Sequence, residues 1–334
     1  MINFRALIGL ILLLMLMTST WFYFSYQRFF ESTLNISNSI EFNVKPGEGV
    51  NQIVERLYKQ KLIKSTWQPR LFIKLNENQS QIKVGHYLLT PDLNFVQLLE
   101  KFNSGEQIQY QFTVVEGLRF WDIVELIKQN KYLNLDKINN LSREDLLESL
   151  QLKFAHQEGS LFADTYKFPK GYDAIELLRR SHQQLLSVLN EEWENKLPEL
   201  PYQTPYEALI MASIIEKETA LSSERPLIAG VFVRRIQKKM RLQTDPTVIY
   251  GIGENFDGNI RRKDLRTDTP YNTYTRHGLP PTPIAIVGRE AINAALNPTE
   301  GTALYFVARG DGSHQFSDTL SEHNKAVRRY QLKK

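Results

Sequence analysis

The chain opens with an uncharged apolar segment. Residues 6–24 contain no charged side chain, and at 1.5 Å per residue they would form a helix of roughly 28 Å, about one hydrocarbon core. Aromatic side chains at positions 21–23 and 26 then resemble the belt of a membrane helix. A cleaved signal peptide is the alternative, but the segment is long for one and no Ala-x-Ala site follows it. The pattern predicts an uncleaved single-pass anchor.

After the anchor, short alternating segments and amphipathic segments follow each other up to residue 140. Residues 42–55 match residues 112–125 at six positions, a weak repeat with an offset of 70. Each copy predicts a strand, a glycine turn and a helix, with helices at residues 50–61 and 121–131. Between the copies, residues 85–90 predict a strand and residues 95–103 a helix. Such units resemble LysM modules, which bind polysaccharide. A spacer domain without a ligand is equally compatible with the pattern.

From residue 141 the pattern becomes mainly helical. The predicted helices span residues 143–150, 174–196, 206–219, 223–239, 289–296 and 321–330, and one strand spans residues 304–308. Residues 242–283 are rich in Gly, Pro, Asn, Asp and Thr without a clear period, which predicts a long irregular segment of the kind that often carries function. We therefore predict an α+β protein with four parts. These are a stub and transmembrane anchor at 1–28, a tether at 29–39, a LysM-like α/β region at 40–140 and a mainly helical domain at 141–334.

The composition excludes several kinds of site. The chain has 334 residues, a formal net charge of +4 and no cysteine, so disulfides, thiolate nucleophiles and Cys-based zinc sites are excluded. Its six histidines include no His-x-x-x-His pair, and its basic clusters are less dense than those of nucleic-acid-binding proteins. We predict no metal, no cofactor and no nucleic-acid partner.

One glutamate stands out in the helix predicted at residues 206–219. At 100° per residue, Met211, Ile214 and Ile215 lie within about 60° of Glu218 around the helix axis, whereas Glu216 points nearly the opposite way. A carboxyl group among apolar neighbours has a raised pKa and can serve as a general acid near neutral pH. The alternative is a partly buried glutamate that pairs with an arginine or caps a neighbouring helix.

The irregular segment has the composition of a sugar-binding loop. Tyrosines, amides and hydroxyls on proline-rich turns suit sugars, which present hydroxyl groups to amides and apolar ring faces to aromatic side chains. The alternative is an ordered loop whose side chains satisfy their own backbone.

Several long motifs occur together in a fixed order. They are MASIIEKET at 211–219, LQTDPTVIY at 242–250, YNTY at 271–274, GLPP at 278–281, YFV at 305–307, HQFS at 314–317 and HN at 323–324. This set resembles the endolytic murein transglycosylases of the YceG-like family over nearly the whole chain. One departure is Ala163, which stands where the family usually has a proline before Asp-Thr-Tyr.

The resemblance implies a bacterial enzyme that cuts peptidoglycan glycan strands internally at MurNAc–GlcNAc β-1,4 linkages, leaves 1,6-anhydroMurNAc ends and terminates strand elongation. It implies that the second glutamate of the Glu-Lys-Glu segment, Glu218, is both acid and base. Six residues are expected either to contact the sugars or to orient Glu218: Gln243, Asp245, Tyr250, Tyr271, Asn272 and Tyr274. The expected location is the inner membrane, with the N-terminus cytoplasmic and the catalytic domain periplasmic. Glycan strands, the membrane and peptidoglycan synthases are the expected partners.

Three other functions stay open from the sequence. A muramidase would hydrolyse the same linkage with water, using Asp245 or Glu216 as a second carboxylate. A non-enzymatic, membrane-anchored scaffold would bind peptidoglycan and use Glu218 only structurally. A periplasmic chaperone-like domain would bind no glycan.

Overall fold

The computed structural model describes residues 4–76 and 81–332. The chain divides into two compact units, unit 1 with Met1–Tyr110 and Phe168–Lys170, and unit 2 with Gln111–Lys167 and Gly171–Lys334. The second copy of the repeat thus belongs to unit 2, whereas the predicted boundary lies at residue 140. The stub before Phe4 lies outside the described residues.

Helix α1 (Phe4–Glu31) contains the predicted anchor. Within the described part of the chain, one helix, Leu7–Glu31, is long and apolar enough to cross a membrane, and its large apolar side chains from Leu7 to Phe24 are exposed. The helix continues beyond residue 28 into the predicted tether because residues 25–31 contain neither Gly nor Pro to end it.

Unit 1 is a small α/β arrangement. Its elements after α1 are β1 (Ile40–Val44), α2 (Val50–Lys59), α3 (Trp67–Leu75), β2 (Gly85–Leu89) and α4 (Phe95–Ser104). β1 and β2 pair antiparallel with Phe42 opposite Tyr87, and both side chains enter a core with Phe95 and Phe102. Helix α4 begins where Asn94 accepts a hydrogen bond from the backbone of Gln97. Helix α3 was not predicted, because it is short and carries a proline near its start.

The second copy of the repeat folds as β3 (Gln109–Thr113) and α5 (Phe120–Lys128), which confirms its predicted strand, turn and helix. Helix α5 begins where the Asp122 carboxylate accepts a hydrogen bond from the backbone of Arg119 at 2.9 Å. It ends three residues earlier than predicted.

The rest of unit 2 is mainly helical. Its elements are β4 (Leu133–Asn134), α6 (Asp136–Asn140), α7 (Arg143–Leu150), β5 (Thr165–Pro169, whose last two residues are counted with unit 1), β6 (Tyr172–Asp173), α8 (Ala174–Glu194), α9 (Pro205–Glu218), α10 (Arg225–Gln237), α11 (Asp245–Ile252), α12 (Arg262–Arg266), α13 (Arg289–Leu296), β7 (Tyr305–Ala308), β8 (His314–Ser317) and α14 (Leu320–Tyr330). β3 pairs with β5, β4 runs parallel to β6, and β7 and β8 form an antiparallel hairpin.

Helix α9 is the central helix of unit 2. It packs against α8, α10 and α13, and every side chain from Ala208 to Ile215 is buried. The apolar period predicts one buried face for this helix, but a helix that is apolar all round is enclosed on all sides. The contacts of Glu218 therefore depend on its position at the end of the helix and not on its angle around the helix axis.

The segment 242–283 is more regular than predicted. It contains α11, a single 3-10 turn at Gly253–Asn255, and α12. The prediction of irregular structure is wrong at these residues, because α11 and α12 are too short to show a hydrophobic period. Their signals are local instead: Pro246 lies in the first turn of α11, where its missing N–H costs no hydrogen bond.

Candidate active site

Glu218 is the last residue of α9, at the point where the helix leaves the core. The helix begins at Thr204, whose hydroxyl accepts a hydrogen bond from the backbone of Glu207, and Pro205 starts its first turn. The Glu218 side chain is half-buried. Burial raises the pKa of its carboxyl group to about 7, so that a proton is held near neutral pH.

Neighbouring side chains shift the pKa of this carboxyl group in opposite directions. The Thr244 hydroxyl donates a hydrogen bond to Oε1 of Glu218, which favours the charged form and lowers the pKa of Glu218. The nearby Asp245 carboxylate disfavours a second negative charge and raises that pKa. His314 acts in the same direction as Thr244. Burial outweighs both lowering effects.

Glu218 lines a cleft of about 440 Å³. The cleft brings together four of the seven predicted site residues, which are Glu218, Gln243, Asp245 and Tyr274. Residues of β7, β8 and α14 line the cleft as well. The arrangement is a polar groove that exposes a protonatable carboxyl group, which is what general acid catalysis on an extended polymer needs.

Asp245 and Tyr274 form a pair at this cleft. The Tyr274 hydroxyl donates to Oδ1 of Asp245 at 2.6 Å, and burial together with this carboxylate raises the pKa of Tyr274. Asp245 is exposed and begins α11, where a carboxylate is stabilised by the helix dipole. The pair therefore fixes a negative charge near Glu218.

Gln243 has a backbone conformation that is unusual for a residue with a side chain, with φ at +53°. Its N–H donates to the carbonyl oxygen of Thr273 at 3.2 Å, which holds the turn in place. The exposed Gln243 side chain lies on the cleft. Backbone strain of this kind is concentrated at functional sites.

Comparison with known proteins agrees with the motifs. The model of the YceG-like family matches residues 42–329. The chain belongs to the YceG-like family.

The relatives of this YceG-like chain include curated proteins. It is 33% identical over 313 residues to a protein of Bacillus subtilis named endolytic murein transglycosylase, a match that covers 87% of this chain and 85% of that protein. A protein of Streptococcus pneumoniae with the same name is 27% identical, over 97% of this chain and 65% of that protein. A solved structure of a YceG-like protein from Listeria monocytogenes has a TM-score of 0.53 at 30% identity, covering 86% of this chain and 99% of that one.

The other three predicted site residues do not line the cleft. Tyr250 and Tyr271 pack with ring centroids 4.8 Å apart. The Tyr250 hydroxyl donates to Glu158 at 3.2 Å, and the Tyr271 hydroxyl is 2.9 Å from the Thr282 hydroxyl. These two tyrosines connect parts of unit 2, and contact with sugar stays a prediction for them.

Asn272 is buried and organises the backbone. Its Nδ2 donates to the carbonyl oxygens of Asp264, Leu265 and Thr267, and its Oδ1 accepts from the backbone of Tyr274 at 2.9 Å. The amide therefore holds Tyr274 in place, and contact of Asn272 with sugar stays a prediction.

Glu216 is separated from the cleft by its own ion pair. Its Oε1 lies 2.7 Å from Arg225, its Oε2 accepts from the backbone of Gly288 at 3.2 Å, and its side chain is 4% exposed. The arginine partner considered for Glu218 in the sequence analysis thus belongs to Glu216. In the described part of the chain, Glu218 makes no ion pair.

Several residues on the cleft were not predicted from the sequence as site residues. Thr244, Arg235, Tyr305, His314 and His323 all line it. Thr244, Tyr305, His314 and His323 belong to the quoted motifs, so motif membership was the available signal. Over residues 4–76 and 81–332, no group of three or more His, Cys, Asp or Glu side chains could hold a metal ion.

Proposed function

We propose that this protein is an endolytic lytic transglycosylase of peptidoglycan in which Glu218 serves as both acid and base. The observation that supports this role best is a half-buried carboxyl group on an open polar cleft, with its pKa raised to about 7 and no ion pair to neutralise it. The names of the curated relatives support the same activity.

The reaction needs one carboxyl group. Glu218 gives its proton to the glycosidic oxygen between N-acetylmuramic acid and N-acetylglucosamine, and the bond from C1 to that oxygen breaks. The resulting Glu218 carboxylate accepts the proton of the C6 hydroxyl as O6 attacks C1 of the same muramyl sugar. No water is consumed, and the product has a 1,6-anhydro end. A pKa near the working pH suits a group that acts in both directions.

Asp245 has a supporting part in this scheme. Its charge helps to keep Glu218 protonated before the reaction, because two neighbouring carboxylates disfavour each other. The Tyr274 hydroxyl occupies one oxygen of Asp245 and fixes its direction. We propose that Gln243, Asp245 and Tyr274 contact the sugars, and that Tyr250, Tyr271 and Asn272 hold the segment that carries them.

Unit 1 and α1 would hold the enzyme close to its substrate. The order strand, two helices and antiparallel strand from β1 to β2 supports a LysM-like unit that binds glycan. The apolar helix α1 supports a single-pass anchor in the cytoplasmic membrane, with the N-terminus inside and the cleft outside. Peptidoglycan synthases are the proposed partners, since they supply the nascent strands.

Product analysis tests this function. Full-length protein in detergent would be incubated with purified glycan strands, and mass spectrometry would identify the new ends. We expect anhydro ends from the wild type and a loss of about 10²–10⁴-fold in rate for Glu218→Gln. Glu254→Gln, the same change at an exposed glutamate, should retain the wild-type rate.

The other outcomes identify the rival functions. Products heavier by one water would show hydrolysis and would make Asp245 the candidate second carboxylate. Glycan binding by the wild type without any cleavage would favour the scaffold. Near-normal anhydro product from Glu218→Gln would remove Glu218 from the mechanism.

A further inference from the structure

Arg235 is a buried arginine that lines the same cleft as Glu218. It lies on α10, its exposed fraction is 7%, and of the described residues on the cleft wall it is the one arginine or lysine. Burial lowers the pKa of Arg235, so its positive charge is kept against a desolvation cost. A buried charge of this kind is normally paired with an opposite charge.

Three backbone carbonyl oxygens hold the guanidinium group of Arg235 in one orientation. Nε donates to Leu304 at 2.7 Å, and Nη1 donates to Leu242 at 2.8 Å and to Arg241 at 3.1 Å. The Tyr305 ring lies against the guanidinium group, with 5.0 Å from Cζ to the ring centroid. The group is therefore fixed before any ligand arrives, which lowers the entropic cost of binding.

These contacts leave the N–H groups of one guanidinium nitrogen, Nη2, unused. Among residues 4–76 and 81–332, Nη2 has no hydrogen-bond partner and Arg235 makes no ion pair. This nitrogen also retains access to solvent. Because Arg235 is otherwise enclosed and borders the cleft, Nη2 is the part of its side chain that an anion in the cleft can reach.

The other charged and titratable groups on the cleft leave this cation unneutralised. Asp245 accepts a hydrogen bond from the Tyr274 hydroxyl at 2.6 Å. Nδ1 of His314 lies 2.6 Å from the Glu224 carboxylate. Burial lowers the pKa of His323, which leaves that ring neutral. We therefore expect the partner of Nη2 to come from the substrate.

We propose that Arg235 binds a carboxylate of the glycan strand through Nη2, and that it thereby selects strands whose muramyl sugars carry a negative charge. This inference rests on the function proposed above. A muramyl sugar without a peptide has a free lactyl carboxylate, and one with a peptide has the carboxylates of that peptide instead. The hydroxyl and N-acetyl groups of the strand are uncharged, and hydrogen bonds between a guanidinium group and a carboxylate are roughly twice as strong as those between neutral groups.

A purely structural arginine would have different consequences. If Arg235 only joined α10 to residues 241–242 and 304, its replacement would lower stability and would weaken the binding of all glycans equally. If Arg235 binds a carboxylate, the affinity of the protein with Arg235 in place depends on that carboxylate, and replacement of Arg235 removes this dependence.

The experiment measures dissociation constants of soluble glycan oligomers for the full-length protein in detergent. All proteins carry Glu218→Gln to prevent cleavage, and they differ in having no further change, Arg235→Gln, or the control Arg262→Gln, which replaces an exposed arginine. One pair of oligomers is peptide-free, with lactyl carboxylates that are free or methylamidated. The other pair bears peptides, with peptide carboxylates that are free or methylamidated.

We expect methylamidation to weaken binding by about tenfold in at least one pair when Arg235 is present, and equally in the Arg262→Gln control. With Arg235→Gln, the free and the methylamidated oligomers should bind alike. A response of the peptide-free pair assigns Arg235 to the lactyl carboxylate, and a response of the peptide-bearing pair assigns it to the peptide.

Equal affinities within both pairs, or no measurable binding, for the protein with Arg235 in place overturn the inference, even if Arg235→Gln fails to fold. A response that persists in folded Arg235→Gln overturns the part assigned to Arg235. These measurements require no cleavage, so absence of anhydro product from the wild type overturns the proposed function separately.

Discussion

The Thr244 hydroxyl donates a hydrogen bond to Glu218 and accepts none from its own helix. It is the N-cap residue of α11, a position where threonine normally accepts a hydrogen bond from the first turn, yet the structure has no side-chain cap there. The hydroxyl donates to Oε1 of Glu218, 26 residues earlier in the chain. The helix α11 thus lacks a stabilising side-chain cap, and the hydroxyl contacts the candidate acid.

Replacement of Thr244 by valine should raise the pKa of Glu218. The hydrogen bond favours the carboxylate, so its loss favours the protonated form, by about one pH unit. The alkaline limb of the pH–rate profile should move up accordingly. Thr244→Ser retains the hydroxyl and should keep the wild-type limb, and an unmoved limb in Thr244→Val would show that the bond has no effect on the reaction.

Removal of the Tyr250 hydroxyl should destabilise unit 2. Glu158 is 3% exposed, and its carboxyl group accepts hydrogen bonds from the backbone of Phe120 at 2.9 Å and from Tyr250 at 3.2 Å. Tyr250→Phe removes one of the hydrogen bonds to this buried carboxyl group, so the free energy of unfolding should fall by about 1–3 kcal/mol. Urea unfolding of the full chain measures the change.

Loss of the hydroxyl group at Tyr202 should have the opposite effect on stability. Tyr202 is 5% exposed, and among the described residues its buried hydroxyl has no hydrogen-bond partner. Tyr202→Phe removes a group that lost its hydration without compensation, so stability should stay equal or rise by about 1 kcal/mol. A marked loss of stability would mean that the hydroxyl of Tyr202 has a partner after all.

Loss of Arg225 should be among the most damaging changes in the chain. This buried side chain pairs with Glu216 and with Glu290, each at 2.7 Å. Arg225→Met would leave the buried Glu216 carboxylate without its cation, at a cost of about 3–5 kcal/mol. Arg261→Met, which breaks the exposed pair with Asp257, should change stability far less in the same thermal and urea assays.

His182 should make the protein less stable in mild acid. Its ring is 4% exposed, Nε2 accepts from the backbone of Lys153 at 3.0 Å, and Nδ1 lies 2.7 Å from the carbonyl oxygen of Ser160. Burial lowers the pKa of His182 below the ordinary histidine value of about 6.5. Below about pH 6.5, His182 is therefore protonated in the unfolded chain but stays neutral in the folded chain. The stability that comes from the neutral, buried ring is lost as the pH falls.

Thermal unfolding at about pH 7.5 and about pH 5.5 isolates this effect. The melting temperature of the wild type should fall more between these conditions than that of His182→Gln. The exposed-site control His277→Gln should follow the wild type. Equal slopes for the wild type and His182→Gln would remove His182 as a source of acid sensitivity.

Apolar periodicity along the sequence predicted most of the helices. The predicted helices at 143–150, 174–196 and 206–219 became α7, α8 and α9 with ends that differ by at most two residues. A full hydrophobic period and a clear cap at Thr204 explain this success. By contrast, α3, α6, α11 and α12 were not predicted, because these short helices show no clear apolar period.

The sequence also led to Glu218, but for a reason that the structure changes. Helical periodicity predicted one buried face, whereas α9 is buried on all sides along Ala208–Ile215. The raised pKa of Glu218 comes from burial at the end of the helix and, to a smaller extent, from the nearby Asp245 carboxylate, whereas Thr244 lowers it. The same helical periodicity placed Glu216 on the opposite side of the helix, but it did not predict the ion pair of Glu216 with Arg225.

The sequence by itself determined the apolar anchor segment, the family, the main helices and the identity of the candidate acid, because these depend on local periodicity or on long motifs. Tertiary structure alone decided which motif residues share the cleft. It placed Gln243, Asp245 and Tyr274 beside Glu218 and set Tyr250, Tyr271 and Asn272 behind them. The physical reason is that hydrogen bonds and charges act over a few ångströms of space, whereas the pairs Thr244–Glu218 and His314–Glu224 join residues 26 and 90 positions apart.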